Sequence, residues 1–270
     1  MKWSLISAVN NDVIAESCLL RSPGIQSATD VILQKGFPSA AAAYNSAIQK
    51  TSADILVFAH QDMYFPEGWI DSVIQALEYL SVHDPNWGVL GVWGALNSED
   101  RAGYLYWTGG LGMENPFSEP TQVSTLDEVV LITRKSSGLL FDNNLPGYHL
   151  YGTDLCLEAA CRGMKSYAIS AFCIHNTDIG NMLPVQFWRC YLYMRRKWIK
   201  QLPIYTPCTQ ITRACGPMFV WNILRLKNVV LRRHKIVTRV GDPSELYIEI
   251  SSKNKCAESK DGISLASMPR

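Results

Sequence analysis

Between Asn181 and Val240 the chain has no aspartate or glutamate, yet the same stretch holds twelve lysines and arginines. The near-neutral total of +1 hides this, because the other 13 basic residues face all 24 acidic ones, a formal charge of −11. A segment so unbalanced needs an anionic partner or the acidic remainder of its own chain beside it. No reading motif for DNA or RNA accompanies the charge, so no nucleic-acid partner is expected. No apolar run approaches the ~20 residues that a spanning helix requires. The start, Met1-Lys2-Trp3-Ser4, lacks a cleavable signal pattern, and the expected location is the cytoplasm. None of the eight cysteines forms a Cys-x-x-Cys pair, which disfavours a zinc site and points to reduced core thiols. The glycine-rich Thr108-Gly-Gly-Leu-Gly112 is not followed by Gly-Lys-Ser/Thr, which removes the P-loop reading.

What is present is alternation of strand and helix. Ser4 to Val9 has the pattern of a buried strand, and Val13 to Leu20 that of a helix stopping before Pro23-Gly24. Val31 to Leu33 is a second short strand, and Ser39 to Gln49 an alanine-rich helix. Asp54 to Phe58 begins a third strand, after which Ile70, Val73, Ile74, Leu77 and Leu80 recur at helical spacing. This order predicts an α/β fold with a mainly parallel central sheet and helices on both faces. The expected organisation is a main α/β domain over 1–180, a basic helical appendage over 181–240, and a flexible polar tail over 241–270. In the appendage, Pro184 is placed to open a helix carrying Trp188 and Trp198 among basic residues, with a second helix from about Met218 to Arg233. Aromatic and basic residues so interspersed suit a helix on an anionic membrane surface, the alternative being that both tryptophans pack on the sheet.

The strand run Asp-Ile-Leu-Val-Phe-Ala-His-Gln-Asp ends in His60 and Asp62. Ligands of open α/β sheets bind just past the carboxyl ends of such strands. A carboxylate there suits a hard divalent cation shared with phosphate oxygens, Mn²⁺ or Mg²⁺; the alternative is that Asp62 caps the turn before Pro66.

Four elements together resemble family 2 glycosyltransferases of GT-A fold, in the streptomycin-biosynthesis-type branch that carries His-Gln-Asp in place of Asp-x-Asp. They are Ser39-Ala-Ala-Ala-Ala-Tyr-Asn45, His60-Gln61-Asp62, the block Leu145-Pro-Gly-Tyr-His-Leu-Tyr-Gly-Thr-Asp-Leu-Cys-Leu157, and Cys173-Ile-His175-Asn176. The resemblance covers roughly residues 3 to 210. It implies transfer of a sugar from a nucleotide-diphosphate-sugar donor to a hydroxyl acceptor (glycan, lipid-linked or small molecule), by inversion and with metal assistance. By the same resemblance, Asp62 and His175 hold the metal, and Asn10, Asp30, Asn45 and His60 contact the donor; the competing roles are a structural one for His175, a turn residue for Asp30 and an amide capping a neighbouring loop for Asn45. Asp154 is the base, although Thr153 stands where relatives carry a second acid, and helix capping by Thr153 or Asp154 is the competing role. His149 and Trp107 are assigned to the acceptor, against buried polar and core-packing alternatives. Two further functions stay open at this point: a scaffold that binds nucleotide sugar without turnover, and a sugar-phosphate nucleotidyltransferase. The second is disfavoured because Asn10-Asn11-Asp12, not a glycine-rich basic loop, follows the first strand.

Overall fold

The computed structural model describes residues 1–108, 116–178, 183–230 and 238–252. In chain order the elements are β1 (Trp3–Ala8), α1 (Asp12–Ser17), β2 (Asp30–Gln34), α2 (Ala40–Ile48), β3 (Ile55–His60), β4 (Met63–Tyr64) and α3 (Trp69–His83). Short strands follow: β5 (Val89–Gly91), β6 (Trp93–Ala95), β7 (Arg101–Gly103), β8 (Leu105–Trp107), β9 (Thr121–Val123), β10 (Thr125–Leu126) and β11 (Val130–Arg134). The remainder comprises α4 (Tyr151–Cys161), β12 (Ser166–Ala168), β13 (Cys173–His175), α5 (Val185–Lys197), β14 (Ile204–Tyr205), β15 (Gln210–Ile211) and α6 (Gly216–Val230).

Seven strands form the central sheet in the order β2-β1-β3-β11-β5-β12-β9. The pairings β1–β2, β1–β3 and β5–β12 are parallel, whereas β11 runs against both its neighbours and β9 against β12. Five strands therefore share one direction, and the expected α/β class with a mainly parallel sheet is present. Side chains alternate between its faces, as strand geometry requires. Ile6, Leu56, Phe58 and Leu131 join α2, α4 and α5 in one core, while Leu5, Val57, Ala59, Val130 and Ile132 join α3 in the other.

The reversed strand β11 sets the geometry of the site. His60 lies at the end of β3, and its backbone N–H bonds the Val129 carbonyl just ahead of β11. Because β11 is antiparallel, the residues before it, Asp127 and Glu128, stand at the edge where β3 ends. A small second sheet, β4-β13-β8, brings His175 beside Met63 and beside Trp107. It docks the last residue of β13 directly after Asp62.

The appendage is only partly as expected. Pro184 is the N-cap of α5, and Phe187, Trp188, Tyr191, Met194 and Trp198 are buried against α4 and the sheet. The two tryptophans are thus core, not a membrane face. Residues 243–252 are helical and Asp242 pairs with Arg21 at 3.0 Å, so the expected flexible tail does not begin at 241. The rest of that tail, 253–270, lies outside the described residues, as does most of Thr108-Gly-Gly-Leu-Gly112. The seven described cysteines are all unpaired, five of them buried, as the lack of Cys-x-x-Cys spacing predicts.

Candidate functional site

His60, Asp62 and His175 converge at the carboxyl edge of the sheet. One ligand-capable atom from each lies within 4.8 Å of the others. Asp62 is 7% exposed, and its Oδ1 sits 3.2 Å from His175 Nε2. Burial alone would raise the Asp62 pKa, but His175, His60 and Arg239 around it hold the carboxyl well below its usual range. Burial likewise lowers His60 towards the neutral form, whereas Asp62 overrides burial at His175 and raises it. Nδ1 of His175 is buried without a hydrogen-bond partner among the described residues. Two imidazoles and an ionised carboxylate within the span of one coordination sphere fit a divalent ion with ligands at about 2.1 Å.

The His60 ring is set by Tyr151, whose hydroxyl lies 3.0 Å from Nε2 and donates to the Glu128 carbonyl at 3.2 Å. Tyr151 is delivered by the first turn of α4. That helix starts at Leu150, a non-glycine residue at φ 62°, in the left-handed region that costs a bulky side chain about 1–2 kcal/mol. Gly152 permits the close approach: a Cβ there would stand 2.9 Å from the Leu126 carbonyl oxygen. The backbone amides of Leu150 and Gly152 aim at the Glu128 carboxyl, and burial, with Asp127 alongside, pushes its pKa up to about 8. Asp127 also acts electrostatically on both His60 and His175.

Neither Asp127 nor Glu128 stands out in the sequence. An acid ahead of a strand in an all-parallel sheet would lie at the far edge, and only the reversal of β11 puts this pair near His60. An unpaired strand direction is not encoded in local periodicity.

Other predicted residues divide by position. Asn10 follows β1 at the same edge, where its side chain and backbone bracket Gln61: Gln61 Nε2 donates to Asn10 Oδ1 at 2.7 Å, and the Asn10 and Asn11 amides donate to Gln61 Oε1 at 3.0 and 3.1 Å. The middle residue of His-Gln-Asp is therefore a tether between β1 and β3. His149 is half-buried against Phe187, and burial together with His60 lowers its pKa to about 4, so it is neutral at pH 7. Trp107 stands beside His175 in register but is 8% exposed and packs edge-on against Trp93 at 4.8 Å. Its ring is core and offers no open face for a sugar.

Three residues do not reach the triad. Asp30 is level with Ser4 in the parallel register, while His60 is level with Ala8. Four residues at about 3.3 Å each separate Asp30 from the edge that carries His60, and it instead accepts from Ser4 and Thr51 at 3.0 and 2.7 Å. Asn45 uses its whole amide on the loop after β11, bonding both backbone groups of Phe141 and the Asn143 side chain. Asp154 does not cap α4, whose N-cap is Leu150. It is 2% exposed, with its oxygens held by Lys197 Nζ at 2.9 Å and Trp198 Nε1 at 2.7 Å. Lys197 also pairs with Asp142 and Glu158, each at 2.8 Å, and those three carboxylates keep it charged. This cluster pins α4 to α5.

The geometry can be set beside known proteins. A family described as "Glycosyltransferase like family" matches residues 4–184. A curated relative from Fuscovulum blasticum, "ATP synthase subunits region ORF 6", is 33% identical over 126 residues, which is 45% of this chain and half the length of that protein. Among solved structures, S. aureus TarS 1-349 in complex with UDP is similar with a TM-score of 0.48 and 14% identity, over 75% of this chain and 66% of that one. The mannosyltransferase PcManGT from Pyrobaculum calidifontis, with GDP-Man and Mn²⁺, gives 0.47 and 12%, over 76% and 65%. The family match extends from the start of β1 past β13 and so spans His60, Asp62 and His175 together, and the chain belongs to this glycosyltransferase-like family.

Proposed function

We propose that the protein is a metal-assisted glycosyltransferase that moves a sugar from a nucleotide-diphosphate sugar to a hydroxyl acceptor with inversion. The observation that carries this reading is the cluster of His60, Asp62 and His175 at the carboxyl edge of the sheet. Two imidazoles and one carboxylate form a softer donor set than the all-oxygen shell magnesium prefers, which favours Mn²⁺ over Mg²⁺. When bound, the ion supplies positive charge to the departing diphosphate. Asp62 and His175 would be its ligands, and His60, neutral and oriented by Tyr151, would be the third through Nδ1. Asn10, next to that edge, is placed for the nucleoside. The acceptor side is formed by His149 and Glu128. Proton removal from the acceptor hydroxyl falls to Glu128, brought beside His60 by the reversed β11, because Asp154 is locked in an ion pair with Lys197.

Incubation with UDP- and GDP-sugars, with and without Mn²⁺, tests the reading. Donor hydrolysis or transfer that needs the metal is the expected result. Absence of both turnover and nucleoside-diphosphate binding across the set would reject it.

A membrane-surface location is a separate proposal, now resting on α6. Phe219, Val220, Ile223 and Leu226 are each more than half exposed, and Arg225 and Lys227 are interleaved with them in the sequence. No described helix is long and apolar enough to cross a membrane, but an amphipathic basic helix can lie on one. Flotation should show binding to anionic vesicles that salt reverses and that Ile223→Ser weakens. Equal recovery with neutral vesicles, or none with either, would remove the proposal.

A further inference from the structure

The chain returns to its own active edge after α6. Arg239 reaches the triad with all three of its nitrogens engaged. Nη2 lies 3.4 Å from Asp62 Oδ2, Nη1 bonds Asp178, and Nε donates to the Asn176 carbonyl at 3.0 Å. The neighbouring backbone is clamped: Val240 N–H donates to Asn176 Oδ1 at 2.8 Å, and its carbonyl accepts from Asn176 Nδ2 at 2.9 Å. Asn176 itself is 1% exposed, follows His175 directly, and donates its backbone N–H to the Asp62 carbonyl at 2.9 Å. The guanidinium is thus held against the same carboxylate that would carry the metal.

A fixed monocation and a divalent cation sharing one carboxylate repel each other. The conflict is relieved when an anion lies between them, and the diphosphate of a nucleotide supplies three oxygens or more for that place. A guanidinium has five N–H groups, of which three are used among the described residues. The remaining two suit paired phosphate oxygens, the geometry for which arginine is better shaped than lysine.

From this we infer that Arg239 is a diphosphate-binding residue that couples the metal to the nucleotide, opposing the ion alone and favouring the ion together with a nucleoside diphosphate. The inference rests on the proposed glycosyltransferase reading, and it makes a crossed prediction. Removing the charge should strengthen one binding event and weaken the other, which loss of structure cannot do.

Calorimetry on the full chain tests it with Mn²⁺ alone, then with UDP and GDP in saturating Mn²⁺. Arg239→Gln should bind Mn²⁺ alone more tightly than wild type. It should bind whichever nucleotide the wild type takes about 10- to 100-fold more weakly, the scale of a charged hydrogen bond to phosphate. Arg239→Lys, which keeps the charge without the fork, should fall between the two on both measurements. Unchanged constants in Arg239→Gln, or a parallel fall in both, would overturn the inference while leaving the glycosyltransferase reading intact. Wild-type protein that binds neither nucleotide would reject that reading and this inference with it.

Discussion

Asp62→Asn is expected to lose metal-dependent nucleoside-diphosphate binding almost entirely, by about 100-fold or more, and turnover with it. Asp62 is the single carboxylate of the triad and is kept ionised there by the two histidines and Arg239. The amide preserves size and one acceptor oxygen but removes the negative charge that offsets a divalent ion. His175→Ala should cost a smaller factor, since the carboxylate and His60 remain. Titration of UDP and GDP in Mn²⁺ and in chelator reads both variants. If Asp62→Asn keeps a full metal effect, Asp62 is a turn residue and the proposed centre lies elsewhere.

The second large effect separates two carboxylates that sequence reasoning cannot tell apart. Glu128→Gln should abolish transfer while sparing nucleotide binding, because glutamine still accepts from the Leu150 and Gly152 amides but takes up no proton. Wild-type transfer should rise with pH through about 8, the value to which burial and Asp127 push Glu128. The sign follows from the role: a base works in its ionised form, so the rate grows as the carboxyl loses its proton, by about tenfold from pH 7 to pH 9. Asp154→Asn should show the opposite division. It loosens the Lys197 and Trp198 anchor and lowers stability by about 1–3 kcal/mol, read by thermal melting, with transfer retained in the folded fraction. Full transfer in Glu128→Gln, or a dead but fully stable Asp154→Asn, would return the base to Asp154.

The outline of the fold was legible because it is written in local pattern. β1, α2, β3 and α3 fall within a few residues of their expected limits, the strands being short apolar runs and the helices apolar at period 3.6. The convergence of His60, Asp62 and His175 was legible for a related reason, since they stand at strand ends on one edge of the sheet. Asp30 misled because a residue at the start of a parallel strand lies at the wrong edge, and strand register is needed to see it. Asp154 misled because α4 begins three residues earlier than its sequence suggests, at a leucine in a left-handed conformation that no propensity favours. Lys197 and Trp198, its partners, are over forty residues away, and nothing local announces them. The placing of Glu128 and Arg239 near the cluster is hidden on the same grounds, one being brought in by a reversed strand and the other by a segment returning after α6.

The direction of β1 decides where the molecule can be held. Its first residue, Trp3, and its last, Ala8, are separated by five steps of about 3.3 Å. A dye, a bead or a sensor surface joined ahead of Trp3 would therefore sit at the end of the sheet remote from His60 and leave that edge uncovered. The other end of the chain offers no such freedom. A cut placed after α6 would take Arg239 and Val240 away from Asn176 and strip the His60–Asp62–His175 cluster of its neighbouring cation. Attachment for single-molecule or surface-based measurement belongs at the amino-terminal side.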